Sequence, residues 1–447
     1  MPTAIVAGGG LAGLAAAAAL GSAGYEIEVF ESRAFLGGRA TSYPLPASES
    51  GEVIDNCQHI LLRCCVNLLD FYRRLGVEDA VTFHREFFFL EPGGRQSVLK
   101  AGSLPAPLHF TGSFLGFHAL SVADKIAIGR GLLAVRKEYR KRADLDQITM
   151  AVWLREKKQT QRAIDRFWGP VLVSAINEDL DRMAAIHGLQ VFWLGFLAKA
   201  NSYEMGIPSV PLGELYSADK WKAMGKVHLR MRCSVEEFVT GNGAIAALQT
   251  NQGPLSADVY VCALPFERIR GLDLDVGRLT HSPITGIHLW FDRVITELPH
   301  AVLLDRTMQW MFNKSGGRYI QLVVSASRSL TEKPRGEVID LAIRELAEFF
   351  PAVREANLEK AHVVKEVRAT FSAAPGLEAV RPGSETPLSN LFMAGDWTRS
   401  GWPATMEGAV RSGYLAAEAV LSGDGRAASL LREDLPAEGL SRRWSGK

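Results

Sequence analysis

The chain begins with a short apolar run, AIVA at residues 4–7, interrupted by GGGLAG and resumed as LAAAAALGSAG, after which YEIEVFE alternates to Glu31. An apolar run too short for a helix, a glycine turn, a continuously apolar helix stopped at Gly24 and a second strand predict a strand-turn-helix-strand unit. Residues 95–225 carry longer helix-like periods. Residues 228–270 return to period two, with turn residues at Gly241–Gly243 and Gln252–Pro254 that predict hairpins. Strand-like alternation recurs across 281–325 in HSPITGIHLWFDRV, MQWMFN and RYIQLVVSAS. Residues 391–413 read as a short strand, Gly395 and Asp396, a loop with Pro403, and a helix carrying Gly408, Ala409 and Gly413. Beyond Gly423 the pattern is polar and weak, predicting a surface helix or disorder. One segment breaks its own pattern: VIDNCQHILL at 53–62 sets Asp55, Asn56, Gln58 and His59 among Val, Ile and Leu. Buried polar groups without partners cost about 1–3 kcal/mol each, so this cluster needs partners in the protein or in a ligand.

Composition narrows the class. The 447 residues are 47% apolar and 22% charged, an ordinary globular chain long enough for two or three domains. Fifty Lys and Arg balance 49 Asp and Glu, which gives no electrostatic basis for a nucleic-acid partner. Five cysteines, at 57, 64, 65, 233 and 262, form no CxxC pair and suit a reducing compartment, with the cytoplasm as the expectation. The apolar start lacks a basic n-region and is glycine-interrupted, unlike a signal peptide. No window of about 18 uninterrupted apolar residues predicts a membrane span, leaving peripheral contact as the membrane mode. FTGSFLGFHAL at 110–120 and VFWLGFLAKA at 191–200 suit a lipid tunnel, a membrane-resting surface or plain core. The His109/His118 and His281/His288 pairs lack metal-site spacing, so no metal is expected, and no GxSxG elbow occurs.

The N-terminal unit has the chemistry of a dinucleotide site. Gly8 suits the tight turn, Gly10 a close backbone approach to pyrophosphate, and Gly13 helix-strand packing, with the phosphate on the helix start at Leu11 and Ala12. Glu31, followed by Ser32, falls where a ribose 2′-hydroxyl needs an acceptor, and its charge disfavours a 2′-phosphate. FAD or NAD is therefore expected. The continuation SRAFLGGRATS adds a second close approach at Gly37 and Gly38 and a fixed cation at Arg39 for pyrophosphate or reduced flavin. Far along the chain, Gly395 and Asp396 put a carboxylate after a strand, where it can accept from ribityl hydroxyls. The helix starting near Thr405 and Met406 can stabilise negative charge at a flavin's pyrimidine edge.

GGGLAG with Glu31 and GGR, DNCQHILL, and LFMAGDWTRSGWPATMEGAVRSG together resemble the flavin amine oxidase and phytoene desaturase superfamily. Within it the chain is most similar to the squalene-associated FAD-dependent desaturases, the hydroxysqualene dehydroxylases of bacterial squalene and hopanoid synthesis. FWGPVLVSAINEDLDRMAA, SVPLGELY and SPITGIHLWFD extend the likeness nearly end to end. Cys57 stands where that family's pattern has Gly, and Arg63 and Cys65 also depart from it. The resemblance implies an α/β fold with a discontinuous Rossmann-like FAD-binding domain over 1–90, 228–275 and 385–425. It implies a mixed α+β substrate domain over 91–227 and 276–384, and a tail over 426–447. It places Val235 backbone against adenine and Asn56, Gln58 and His59 beside the flavin ring or the substrate.

The implied reaction is reductive removal of the hydroxyl of 12-hydroxysqualene to give squalene, with hydride from reduced flavin quenching an allylic cation. An acid must reach the hydroxyl. His59, directly or through Gln58, is the first candidate and His288 the second. Trp402, Trp290 and Phe291 are candidates to face the cation. The substrate is an isoprenoid lipid, the implied partners are squalene or presqualene synthases, and the electron donor has no signature in the sequence. The rival readings are a carotenoid-type desaturase or amine oxidase, running hydride from substrate to flavin, and a non-catalytic flavin or lipid-binding protein.

Overall fold

The computed structural model describes residues 1–46, 51–222 and 224–444; residues 445–447 of the tail lie outside the described residues. Thr3–Ala7, Glu26–Glu31, Val227–Met231, Val259–Cys262 and Leu391–Met393 form one parallel sheet, in the order 227–231, 26–31, 3–7, 259–262, 391–393. The central strand is buried over Ala4–Ala7, which is why it reads as an unbroken apolar run. Helix Leu11–Ser22 is buried continuously from Leu11 to Leu20, so it carries alanine all round instead of one apolar stripe.

Its partner is the helix Met406–Gly423. Their crossing is so close that a Cβ on Gly413 would lie 2.2 Å from the Ala12 carbonyl oxygen and 2.9 Å from the Ala15 Cβ. A third helix, Val66–Arg74, joins them through Glu407, a buried carboxylate that accepts from the Leu68 N–H (2.8 Å) and the Asn67 side-chain amide (2.8 Å).

A three-stranded antiparallel sheet, Val235–Gly241, Ala244–Thr250 and Gly253–Leu255, includes the predicted hairpin, turned at Asn242 and Gly243 with φ of 51° and 75°. Positive φ at both positions is what an Asn-Gly hairpin turn requires.

The second large sheet has seven strands. Its order is Leu358–Phe371, His281–Phe291, Tyr319–Ser325, Trp310–Ser315, His300–Leu303, Glu86–Leu90, Gln96–Lys100. Residue 90 therefore falls at the end of a strand that belongs to this sheet. Along His281–Phe291 the faces alternate: Ile287, Leu289 and Phe291 join a core with helix Arg335–Phe349, while His288 and Trp290 take the opposite face. Residues 95–225, expected to be mostly helical, are helical over most of 108–197 and at 212–221 but include the strands Gln96–Lys100 and Met205–Pro208.

The tail is tied down beyond Gly423. Arg432 donates to Asp70 (3.0 Å), Glu438 N–H to the Ala198 carbonyl (2.8 Å), and Gly439–Trp444 is helical. Among the described residues no helix is long and apolar enough to cross a membrane.

The Gly413 contact makes a direct prediction. Gly413→Leu drives a side chain into the Ala12 backbone, and overpacking of this kind costs about 1–3 kcal/mol or more. A thermal melt of the variant should show a lower midpoint together with reduced flavin content, because the same helix pair supports the nucleotide turn.

Candidate active site

The glycine turn is shaped by close approaches. A Cβ on Gly8 (φ +113°) would sit 2.7 Å from the Ala263 carbonyl oxygen, and one on Gly13 would sit 2.0 Å from the Gly8 carbonyl oxygen. Gly10 differs. A Cβ there would make only ordinary contact, with the Gly38 Cα at 3.8 Å, and Gly10 pairs with Gly37 so that the two glycine segments run side by side. The helix start at Leu11, Ala12 and Gly13 is buried and has no side-chain cap, which fits a phosphate as its partner.

Glu31 ends its strand as predicted and anchors the loop. Its carboxylate accepts from Gly9 N–H (3.0 Å), Arg33 N–H (2.8 Å) and the Ser32 hydroxyl (3.1 Å). Val235 opens its strand two residues after Cys233, whose N–H donates to the Glu31 carbonyl (3.0 Å), so both lie at the same end of the site.

The other end joins the GGR segment to the C-terminal loop. Arg39 donates to the Asp396 carboxylate (3.1 Å) and the Ala369 carbonyl (3.3 Å). Gly395, at φ +148°, donates to the Ser412 hydroxyl (2.8 Å), and Thr405 caps its helix by accepting from Gly408 N–H (3.0 Å), with Met406 the first helical residue. The loop between is held by Arg381, which sequence reasoning did not single out. Its guanidinium is buried and donates to the carbonyls of Asp396 (2.8 Å), Trp402 (2.9 Å) and Thr398, and to Glu378 (2.6 Å).

The polar cluster at 53–62 finds its partners within the protein. Asp55 accepts from the Ser42 hydroxyl (2.8 Å), Leu212 N–H (2.9 Å) and Lys314 (3.0 Å). Asn56 is turned onto the Arg39–Thr41 backbone, donating to the Arg39 carbonyl (2.9 Å) and accepting from Thr41 N–H (3.3 Å). Its role is to fix the segment that carries Arg39. Gln58 accepts from Lys314 (2.8 Å). Lys314, on the Trp310–Ser315 strand, thus joins Asp55 to Gln58; its only trace in the sequence is a cation ending an apolar strand.

His59 bonds the Cys57 carbonyl (3.0 Å). Burial drives its pKa down despite that carbonyl, so the ring is neutral near pH 7. Cys57 is pushed up to about 12 by burial and is an inert thiol. His288 is fully buried, pairs with the Tyr319 hydroxyl (2.7 Å), and is pushed down to about 3, chiefly by burial. The ring faces the same side of the sheet as Gly286, where a Cβ would lie 3.3 Å from the Asn56 carbonyl oxygen.

The aromatic candidates separate. Trp290 stacks on Tyr319 (4.3 Å between centroids) on the His288 face, Phe291 packs behind the sheet, and Trp402 lies in a small cluster with Cys64 and Leu194. Among the described residues no group of His, Cys, Asp and Glu is arranged to hold a metal ion.

Residues 11–421 match the family described as flavin containing amine oxidoreductase. The chain belongs to that family. FAD is accordingly its cofactor, and the paired glycine segments, the uncapped helix start and Glu31 fit it. Among curated relatives of this flavin oxidoreductase, a probable zeta-carotene desaturase of Synechococcus elongatus is 27% identical over 481 residues, covering 95% of this chain and 99% of that protein. A 15-cis-phytoene desaturase of the same organism is 27% identical over 456 residues, covering 93% and 95%. An oxidoreductase from Methanosarcina mazei superposes with a TM-score of 0.71 at 19% identity, over 94% of this chain and 100% of that one. A triple mutant of putrescine oxidase gives 0.72 at 16%, over 94% and 99%. These two structures share the fold.

Two outcomes follow for this oxidoreductase. Glu31→Ala removes a charged acceptor worth about 1.5–3 kcal/mol, so fluorescence titration of the apoprotein should show FAD binding weakened roughly ten- to hundredfold. The second concerns pH. A histidine whose folded pKa is depressed below the unfolded value near 6.5 contributes stability that is present above pH 6.5 and lost as pH falls toward the folded value of about 3. Melting midpoints should therefore fall from pH 6.5 toward pH 4, with a shallower slope in His288→Phe.

Proposed function

We propose that this flavoprotein exchanges hydride with a long acyclic isoprenoid, and that its forward direction is desaturation. Three observations support the reading: the chain is similar end to end to enzymes named for phytoene and zeta-carotene desaturation, its helical segment packs a cluster of neighbouring aromatic side chains, and its polar cluster holds a neutral imidazole. The similarity carries the choice of direction, and the imidazole is compatible with it. Desaturation takes a hydride from one carbon and a proton from its neighbour, leaving a new double bond; a neutral His59 can receive a proton but is a poor source of one. Bound FAD supplies the two-electron acceptor. Arg39 offers positive charge at the site, Asn56 and Arg381 fix the two segments around it, and the apolar surroundings keep water out.

The aromatic interior suits such a substrate. Phe192 lies 5.6 Å from both Phe167 and Phe196, and Phe87 lies 6.3 Å from Phe196. Phe167 and Phe196 sit in π-helical turns, Ile164–Trp168 and Trp193–Leu197, a distortion frequent at functional sites.

The second reading is reductive dehydroxylation of 12-hydroxysqualene to squalene, in which a proton and a hydride enter and water leaves. It is favoured by the likeness of the DNCQH and middle segments to the hydroxysqualene dehydroxylases, and by Lys314, an ammonium 2.8 Å from Gln58 that carries the proton His59 lacks. A squalene or presqualene synthase would then supply the substrate in the cytoplasm.

Product analysis under anaerobic conditions decides between them. The oxidised holoprotein mixed with phytoene or zeta-carotene should yield a product with one more double bond and a reduced flavin. Dithionite-reduced protein mixed with 12-hydroxysqualene should leave the alcohol unchanged; squalene formed in step with flavin reoxidation would instead establish the second reading. Turnover of none of these would contradict both. In the active direction His59→Ala should lower kcat roughly hundredfold with flavin content unchanged.

A further inference from the structure

The two apolar stretches singled out in the sequence have different fates. Residues 192 and 194–198 are buried, as core. Within 110–120 Phe117 and Leu120 are also buried, but Leu115 is exposed by 67%, and further large apolar side chains are exposed on either side of it: Leu104, Leu108, Val122 (73%), Ile126 and Leu133. Val122, Ile126 and Leu133 fall within about 40° of one another on the helix Val122–Glu138, at 100° per residue. Lys125 ties that helix to the preceding turn by donating to the Leu115 carbonyl (2.7 Å), and the Thr111 hydroxyl donates to the Leu108 carbonyl (2.7 Å). The first of these contacts holds the turn carrying Leu115 against the start of the helix that carries Val122 and Ile126. A contiguous apolar surface of this kind on a soluble fold marks an interaction site.

The charge around the patch identifies its partner. Residues 101–141 hold six Lys and Arg against two acids, Asp124 and Glu138. Asp124 is buried in a capping box with Ser121, and Glu138 is held by Lys157, by Arg142 (3.3 Å) and by the Trp153 indole (2.8 Å), so neither presents a free negative charge. Arg130 and Lys137 are exposed and lie about 60–80° from Val122 around the helix, flanking the apolar stripe. Apolar side chains edged by cations match a bilayer with anionic headgroups: the leucines enter the acyl boundary while the cations meet phosphate.

We propose that this face, from Leu104 to Lys137, docks the protein on an anionic phospholipid bilayer. The patch is continuous with the aromatic interior. Half-buried Phe110 lies 4.7 Å from Tyr203 and 6.1 Å from Phe196, and Phe114 lies 5.8 Å from Phe167. Docking by this face therefore sets the Phe110 and Phe114 end of the aromatic cluster against the acyl chains, the side from which a lipid substrate would enter. The entry route rests on the isoprenoid reading; the docking does not.

The test is flotation of the full-length holoprotein with vesicles of phosphatidylcholine alone or mixed with equal parts phosphatidylglycerol. The wild type should float with the mixed vesicles, more weakly with the neutral ones, and less as salt rises. Leu115→Glu, Val122→Glu and Ile126→Glu combined should weaken binding at least tenfold while flavin spectrum and melting midpoint stay unchanged, since all three side chains already face solvent. No flotation of the wild type, or equal flotation of the triple variant, would overturn the proposal. Self-association that the triple variant abolishes, without vesicle binding, would do the same by assigning the face to a second copy. Turnover of detergent-dispersed isoprenoid is scored separately: vesicle binding without turnover would sink the substrate reading and leave the docking face standing.

Discussion

The backbone contact between Gly413 and Ala12 is the constraint on which the site depends. It lets the helix near the C-terminus lie against the first helix of the chain with no side chain between them. About 385 residues apart in sequence, the nucleotide turn and the Gly395–Asp396 loop are thereby brought to one end of a single parallel sheet. The Arg39–Asp396 ion pair closes that junction, and Arg381 braces it by satisfying the loop's carbonyls from within. A buried guanidinium is tolerable only when it is paired and hydrogen-bonded, and here Glu378 and the carbonyls of the loop do both.

The opening unit was legible because local and global requirements agree there. A fully buried strand must be apolar throughout, a phosphate turn must have glycine where backbones touch, and the strand must end on an acceptor; each leaves a letter in the sequence. The polar cluster was legible as an anomaly, but its resolution was not. Partners for Asp55 and Gln58 come from Lys314, more than 250 residues away, and no periodicity reports such a pairing. Arg381 was invisible for the same reason, since its burial is decided by a loop folded around it. The strand Leu358–Phe371 escaped the pattern because it is an edge strand. Its Lys360, Lys365, Glu366 and Arg368 obscure the alternation while discouraging pairing with another chain.

Chemistry at the site follows from charge states that burial sets. His59 and His288 are held neutral, Cys57 is held protonated, and the fixed charges are Arg39 with Asp396 at one end and Lys314 with Asp55 at the other. On the proposed reading, the neutral His59 is the group that receives a proton from the substrate. Aromatic rings in mutual contact run from half-buried Phe110 and Phe114 to the core at Phe167 and Phe196.

Hydride exchange between bound FAD and an acyclic isoprenoid is the central claim, and anaerobic rapid mixing reads it directly. Oxidised holoprotein mixed with phytoene in vesicles should lose its visible flavin absorption in a single turnover, at a rate that rises with phytoene and saturates. A flavin that stays oxidised with every acyclic polyene offered, and stays reduced when the reduced protein meets 12-hydroxysqualene, would contradict the account.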